Sequence, residues 1–337
     1  MKAIRIHSAG DLRMYDEPEP VPWEDEVLLE VTAVGICGSD LHWFGEGGIG
    51  DAVLKEPLVL GHEFAGIVQS GKMKGQRVAV EPAISCGHCY YCEQGHPNLC
   101  ENIIFAGHGK QDGALRQFMT WPNRFVIPLP DSIDDVAGAM LEPLGVAIFA
   151  TDLAKIGLGA RVGVYGCGPI GLMIVQLARL LGATQVIATD VLPHRVEAAK
   201  AYGATDVFQA HEAKEVEAIM AATNQKGVDI AIEVAGDNDA VTTAVETSRP
   251  GATVVLVGIP DNDSTTFSAG SARRRGLTIK LCRRMKHTYP RAVELVDKGL
   301  VDVNSLVSDC YPLAGYQQAF ESAARREGFK VVIEPNK

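Results

Sequence analysis

The chain is predicted to fold as an α/β protein in which an irregular, mostly β domain precedes a doubly wound parallel sheet. Three observations carry this reading. At 337 residues the chain exceeds what one hydrophobic core comfortably organises, so two domains are expected. Residues 1–145 hold short strand-like runs, at 27–34, 64–69, 76–80 and 125–129, broken by Gly, Pro and Asp. Beyond about 145 the pattern changes to strand and helix in alternation, the signature of a parallel sheet with crossover helices. The expected division is 1–145, 146–280 and a tail, 281–337, that returns to the first domain.

The amino terminus opens on Lys2-Ala3-Ile4-Arg5-Ile6, a strand-like alternation with no apolar leader core. No window holds the uninterrupted apolar run that a membrane span needs. A soluble, cytoplasmic protein is expected. The net charge of -11 argues against a polyanionic partner, although Arg273-Arg274-Arg275 and Arg283-Arg284 are local basic clusters; no nucleic-acid binding is expected. Eight cysteines without a secretory leader point to reduced thiols or metal ligands.

Within the first domain, Cys37-Gly38-Ser39-Asp40-Leu41-His42 places a thiol, a hydroxyl and an imidazole within six residues. One thiolate is not a metal site, because a catalytic zinc takes three protein ligands and keeps a fourth position open. Gly61-His62-Glu63, after the apolar run 57–60, supplies an imidazole beside a carboxylate, so Cys37, His62 and Glu63 form the candidate metal set. The alternative is a buried thiol beside two unrelated polar residues. Further on, Cys86-x2-Cys89-x2-Cys92-x7-Cys100 lies in a loop-like region carrying Gly87, Gly95 and Pro97. Four thiolates so spaced close a tetrahedral shell and leave no room for substrate, which describes a structural zinc; a disulfide pair or free thiols is the alternative.

In the second domain Arg161–Tyr165 reads as a buried strand, Gly166-Cys167-Gly168-Pro169-Ile170-Gly171 as a turn and 172–181 as an apolar helix closed by Gly182. The glycine motif is weak alone in a chain with 35 glycines, but strand, glycine turn and helix occur in the order that a Rossmann dinucleotide fold requires. The next strand, 185–189, ends on Asp190, nineteen residues beyond Gly171, where a carboxylate takes the adenosine ribose hydroxyls. A pyrophosphate would rest on the amides opening the helix. Asp190 would repel a 2′-phosphate, which favours NAD over NADP; Arg195, five residues on, is read as flanking the adenine or solvated. Alternation continues through strands at 228–233, 253–258 and 277–281 and a helix at 239–247. A last helix, 288–298, is stopped by Gly299, and the run 330–333 follows.

Taken together, Cys37 to His42, the stretch Gly61 to Gly66, the four-cysteine lobe, Leu141-Glu142-Pro143-Leu144 and the glycine turn resemble the zinc-dependent medium-chain dehydrogenase/reductase superfamily over essentially the whole chain. Within it the chain is similar to the polyol branch, represented by sorbitol, xylitol and L-iditol 2-dehydrogenases, through Gly48-Ile49-Gly50-Asp51, Glu63 directly after His62, and Arg284 ahead of Thr288-Tyr289-Pro290. The resemblance implies a GroES-like catalytic domain beside the Rossmann domain. It implies oxidation of a secondary hydroxyl of a polyol to a ketose with hydride transfer to NAD, and two zinc ions per subunit, one catalytic and one structural.

Carried over by position, Cys37 and His62 resemble the family's zinc ligands. Glu63 and Glu142 match two carboxylates that bind the metal directly, through water or by exchange. Ser39 and His42 match a proton relay, and Trp43, Phe105, Arg284 and Met285 fall at substrate-pocket positions, Met285 replacing an aromatic. Gly166, Gly168, Pro169, Ile170, Gly171, Asp190, Arg195, Val257 and Ile259 are the expected cofactor-binding positions. Several readings stay open: His42 as a core histidine, Glu142 as a structural partner, Arg284 as a solvated charge. The competing functions are a dehydrogenase of another secondary alcohol, such as L-threonine or an inositol, and a non-catalytic NAD-binding protein. The expected assembly is a homotetramer, with a dimer as the alternative, formed by pairing nucleotide domains edge to edge.

Overall fold

A computed structural model of the chain describes residues 1–211, 214–261 and 263–337. The chain forms two compact units, Met1–Pro143 with Tyr289–Lys337, and Leu144–Thr288. The tail joins the first unit at Tyr289 rather than at 281. The reason is local: Thr278–Leu281 pairs in parallel with Ser248–Leu256, and the Cys282 amide still donates to the Leu256 carbonyl.

In the first unit, Glu26–Gly35 is the strand around which the main sheet assembles. Its apolar residues alternate, burying Val27, Leu29, Val31 and Ala33 on successive inward positions, as the two-residue period of a strand demands. It pairs antiparallel with Glu63–Val68, Phe118–Pro122 and Lys330–Glu334. The full order runs Val126–Pro128, Arg77–Val80, Glu63–Val68, Glu26–Gly35, Lys330–Glu334, Val307–Pro312. A smaller sheet joins Asp11–Asp16, Lys2–Ser8 and Leu58–Val59. The core fills with Ile4, Ile6, Leu29, Leu60, Phe64, Trp121 and Phe320, all 1% exposed or less.

The second unit is a six-stranded parallel sheet ordered Asp206–Gln209, Gln185–Asp190, Arg161–Tyr165, Val228–Glu233, Ser248–Leu256, Thr278–Leu281. The strand order reverses between Arg161–Tyr165 and Val228–Glu233, and a doubly wound sheet binds its ligand at the carboxyl ends of the strands at that point. Two sequence boundaries shift. The first helix of this unit is Pro169–Leu180, so Pro169 to Gly171 form its opening turn rather than a loop before it; proline at the first helical position has its φ already set and loses no needed N–H. The strand expected at 253–258 is Ser248–Leu256, entering five residues earlier through an irregular register opposite Val228–Ile230.

Candidate functional site

Cys37 ends the turn after Glu26–Gly35, and its amide is held by Asp40 Oδ2 at 2.9 Å. That bond opens the helix Gly38–Glu46, which the sequence reading did not assign. His62 and Glu63 follow at the start of the neighbouring strand Glu63–Val68. Register places Gly35 directly opposite Glu63, and a Cβ at Gly35 would meet Glu63 Oε2 at 2.2 Å. Glycine is therefore required there for the carboxylate to lie over the strand.

The donor atoms of Cys37, His62 and Glu63 all lie within 4.8 Å of one another. His62 is 6% and Glu63 1% exposed. Thiolate, imidazole and carboxylate are the donor types of zinc sites, and three protein donors leave a position open. The cluster fits a catalytic metal.

Two charged residues that sequence reasoning missed hold this cluster. Asp40, 1% exposed, places Oδ1 3.6 Å from His62 Nδ1 and also accepts the Gly61 amide. A carboxylate behind a ligating imidazole fixes its tautomer and ring orientation. Burial works to keep His62 neutral, but the charges of Asp40 and Cys37 prevail and raise its pKa well above the ordinary value. Lys330, 5% exposed, donates to both Glu63 oxygens at 2.6 and 2.8 Å and to the Ile36 carbonyl at 3.1 Å. Burial opposes its charge, yet Glu63, Cys37 and Glu142 raise its pKa. Asp40 stood inside a motif already singled out; Lys330, 267 residues from Glu63, carried no local signal.

Glu142 is 5% exposed in the first turn of the helix Leu141–Ala154. Its charge reaches the same Lys330 that pairs with Glu63. Ser39 Oγ lies 3.4 Å from His62 Nε2, and His42 Nδ1 is 3.2 Å from Glu46 Oε1 one helical turn on. Phe105 tilts against the His62 ring at 5.1 Å between centroids. Trp43 is 3% exposed, within the hydrophobic core, with its ring edge-on to His108.

Cys86, Cys89, Cys92 and Cys100 bring their sulfurs within 4.8 Å of one another, and none is in a disulfide. Cys89 and Cys100 Sγ are 3.9 Å apart, against about 3.8 Å for the edge of a tetrahedron with metal–sulfur bonds of about 2.3 Å. The amides of Cys86 and Cys89 donate to the sulfurs of Cys100 and Cys86, an arrangement that favours thiolates. This cluster also fits zinc, with every position closed.

In the second unit Gly166, at φ 109°, turns the chain out of Arg161–Tyr165. A Cβ at Gly171 would meet the Gly166 carbonyl at 2.0 Å, so only glycine lets the helix approach its own turn this closely. Gly168 caps the helix, followed by Pro169 and Ile170, leaving the opening amides for an anion. Asp190, 8% exposed, accepts the Cys167 amide at 2.7 Å and the Leu192 amide at 2.9 Å. Arg195 reaches back over the turn: a Cβ at Gly168 would lie 3.7 Å from its Nη1. Val257 is half-buried and Ile259 exposed just past Ser248–Leu256. Arg284 holds a left-handed backbone, φ 56°, and is half-buried, while Met285 is 5% exposed.

A mixed-donor metal cluster on a β scaffold, with a dinucleotide-type sheet in the same chain, defines a zinc-dependent dehydrogenase. The chain belongs to the zinc-binding dehydrogenase family: residues 23–131 match the alcohol dehydrogenase GroES-like domain and residues 169–298 the zinc-binding dehydrogenase domain. It is 38% identical to a sorbitol dehydrogenase of Bacillus subtilis (strain 168), covering 100% of this chain and 98% of that one. It is 37% identical to a probable D-xylulose reductase A of Arthroderma otae, covering 96% and 94%. Among solved structures, an Escherichia coli oxidoreductase/dehydrogenase of unknown specificity superposes with a TM-score of 0.93 at 34% identity over 99% and 98% of the chains. A Sinorhizobium meliloti 1021 structure bound to NADP superposes with a TM-score of 0.91 at 31% identity over 99% of each.

Proposed function

We propose that the protein oxidises a secondary hydroxyl of a polyol to a ketose, with NAD as hydride acceptor. The observation that carries this is the cluster of Cys37, His62 and Glu63 braced by Asp40 and Lys330, in a chain similar to a sorbitol dehydrogenase and a D-xylulose reductase along its length. When bound, zinc lowers the pKa of a substrate hydroxyl and the nicotinamide ring takes the hydride. The chain's residues do the rest. Cys37 and His62 would hold the metal, and Asp40 orients His62. Lys330 donates to both oxygens of Glu63 and balances its charge, and Glu63 and Glu142 are the two carboxylates that would bind the metal directly, through water or by exchange. Ser39 conducts the released proton as a hydrogen-bonding hydroxyl, and His42 delivers it onward, since one ring nitrogen of an imidazole can accept a proton while the other donates.

Phe105, beside His62, forms an apolar wall; Trp43, Arg284 and Met285 complete the proposed substrate-binding set. Gly166, Gly168, Pro169, Ile170 and Gly171 seat the pyrophosphate, Asp190 takes the adenosine ribose, and Val257 and Ile259 flank the cofactor. The four-cysteine lobe holds a second, structural zinc. Asp190 favours NAD, while the position of Arg195 over the phosphate turn makes NADP the comparison to run. The proposed assembly is a cytoplasmic homotetramer using the Thr278–Leu281 edge, where Leu281 is 77% exposed and an unpaired strand edge needs covering; a monomer in sedimentation at micromolar concentration would contradict it.

The test is a panel of polyols, L-threonine and inositols, with NAD and NADP in parallel, after metal analysis. Polyol-dependent NADH formation is expected. Preferential turnover of L-threonine or an inositol would move the substrate class, and tight NAD binding with no alcohol oxidised would replace the enzymatic reading. Ser39→Ala should lower turnover with zinc and NAD still bound.

A further inference from the structure

Glu233 closes the strand Val228–Glu233, directly beside Tyr165 of Arg161–Tyr165. These are the two strands between which the sheet order reverses, so Glu233 stands at the carboxyl-end crevice where a dinucleotide binds. It is 1% exposed. No metal or substrate role requires a carboxylate there, and a buried carboxylate persists only where donors satisfy it.

Those donors come from two separate segments. The Gly236 amide donates to Glu233 Oε1 at 2.7 Å. Burial raises the carboxyl's pKa, and the amides of Gly236, Ala235, Asp237 and Gly258 work against that rise. The backbones they belong to touch with no side chain between them: a Cβ at Gly258 would meet the Gly236 nitrogen at 2.0 Å, and one at Gly166 would meet the Ala235 nitrogen at 2.8 Å. The Glu233 carboxylate, together with its main-chain carbonyl, which accepts the Val257 and Gly258 amides at 2.8 and 3.3 Å, thus sets the spacing of residues 235–237 and 258, against the first glycine of the phosphate turn.

We propose that Glu233 is a positioning residue for the nicotinamide half of the cofactor, tying residues 235–237 to Gly258 on the side of the crevice opposite Asp190. The proposal rests on the nucleotide reading above. Asp190 ends Gln185–Asp190, on the far side of Arg161–Tyr165 from Glu233, so the adenosine half lies there and the other half spans toward Val228–Glu233 and Ser248–Leu256. Among the described residues the hydrogen-bond partners of the Glu233 carboxylate are backbone amides; its effect on the cofactor passes through the two segments it joins.

The test compares zinc-loaded full-length protein with Glu233→Gln and Glu233→Asp, measuring NADH affinity by fluorescence titration and AMP as a competitive inhibitor against NAD. AMP carries the adenosine half alone. Replacing a charged acceptor leaves amides poorly matched, which should weaken NADH roughly 10-fold while AMP changes by less than about two-fold; Glu233→Asp, retaining the charge, should recover part of the loss. Unchanged NADH affinity would overturn the proposal, as would equal weakening of NADH and AMP, the mark of a generally loosened sheet. Hydrogen exchange on the wild-type chain provides a readout independent of variant folding: NADH should protect residues 234–237 and AMP should not, and equal protection by both would overturn the proposal. A wild-type chain that binds neither nucleotide would overturn the nucleotide reading itself.

Discussion

The two sulfur-containing donor clusters of the first unit are built on opposite principles. The four-cysteine lobe draws all its donors from residues 86–100, only Cys100 among them is buried, and its sulfurs are met by neighbouring amides. The mixed cluster takes Cys37 from the end of one strand and His62 and Glu63 from the next, buries the latter two, and needs Asp40 behind the imidazole and Lys330 behind the carboxylate. A closed shell of like donors is satisfied by local chain geometry. An open site in a water-poor interior must have its charges balanced by residues that distant parts of the fold deliver. Under the proposed function, the difference would separate a metal that holds structure from one positioned to act.

The largest effect should come from removing a donor on the open side. Cys37→Ala is expected to lower kcat/KM for the polyol by at least about 1,000-fold, roughly 4 kcal/mol of barrier, with the thermal midpoint little changed; residual activity within ten-fold of wild type would break the contrast. Next is Lys330→Met. Leaving the Glu63 charge buried and unpaired should cost about 3–5 kcal/mol of stability, read by denaturant unfolding, and the double variant with Glu63→Gln should recover much of it. A loss no larger than that of an exposed pair would show that Lys330 does not balance Glu63.

Asp40→Asn should be milder, weakening metal affinity or activity about 10- to 100-fold, measured by competition with a chromogenic chelator. On the closed side, Cys100→Ser should lower the thermal midpoint and the zinc content, while kcat per intact open site falls less than ten-fold. An inactive but undestabilised Cys100→Ser protein would erase the distinction between the clusters.

The smallest effect lies outside both. Asp229 is half-buried, which disfavours its charge, but it accepts from Arg161 and Arg249, and its pKa falls to about 2. A depressed carboxylate stabilises the fold fully above its unfolded value of about 3.9, and the contribution is lost as pH falls through about 2. Asp229→Asn should therefore flatten the acid limb of stability between pH 4 and 2 in urea titrations, leaving the neutral limb parallel to wild type; an unchanged acid limb would refute this.

The sequence was most legible where chemistry is local. The four cysteines share one loop, the glycine turn sits between its strand and helix, and Asp190 follows at the distance one strand–helix–strand unit sets. Legibility failed where pairing is long-range. Lys330 read only as the start of a terminal strand, because nothing short of the pairing of Lys330–Glu334 with Glu26–Gly35 brings its amine beneath Glu63. Asp40 lay inside a recognised motif but looked like spacing between Ser39 and His42, since its partner is a ring 22 residues away. Glu233 was seen only as the end of a strand, its role depending on how two glycine segments meet.

Elemental analysis of the purified wild type, Cys37→Ala and Cys100→Ser proteins measures directly whether metal occupancy is divided between the two clusters. The wild type should carry one zinc in each cluster; each variant should lose one, Cys37→Ala losing activity and Cys100→Ser losing thermal stability. Full zinc retention in Cys37→Ala together with wild-type activity would contradict it.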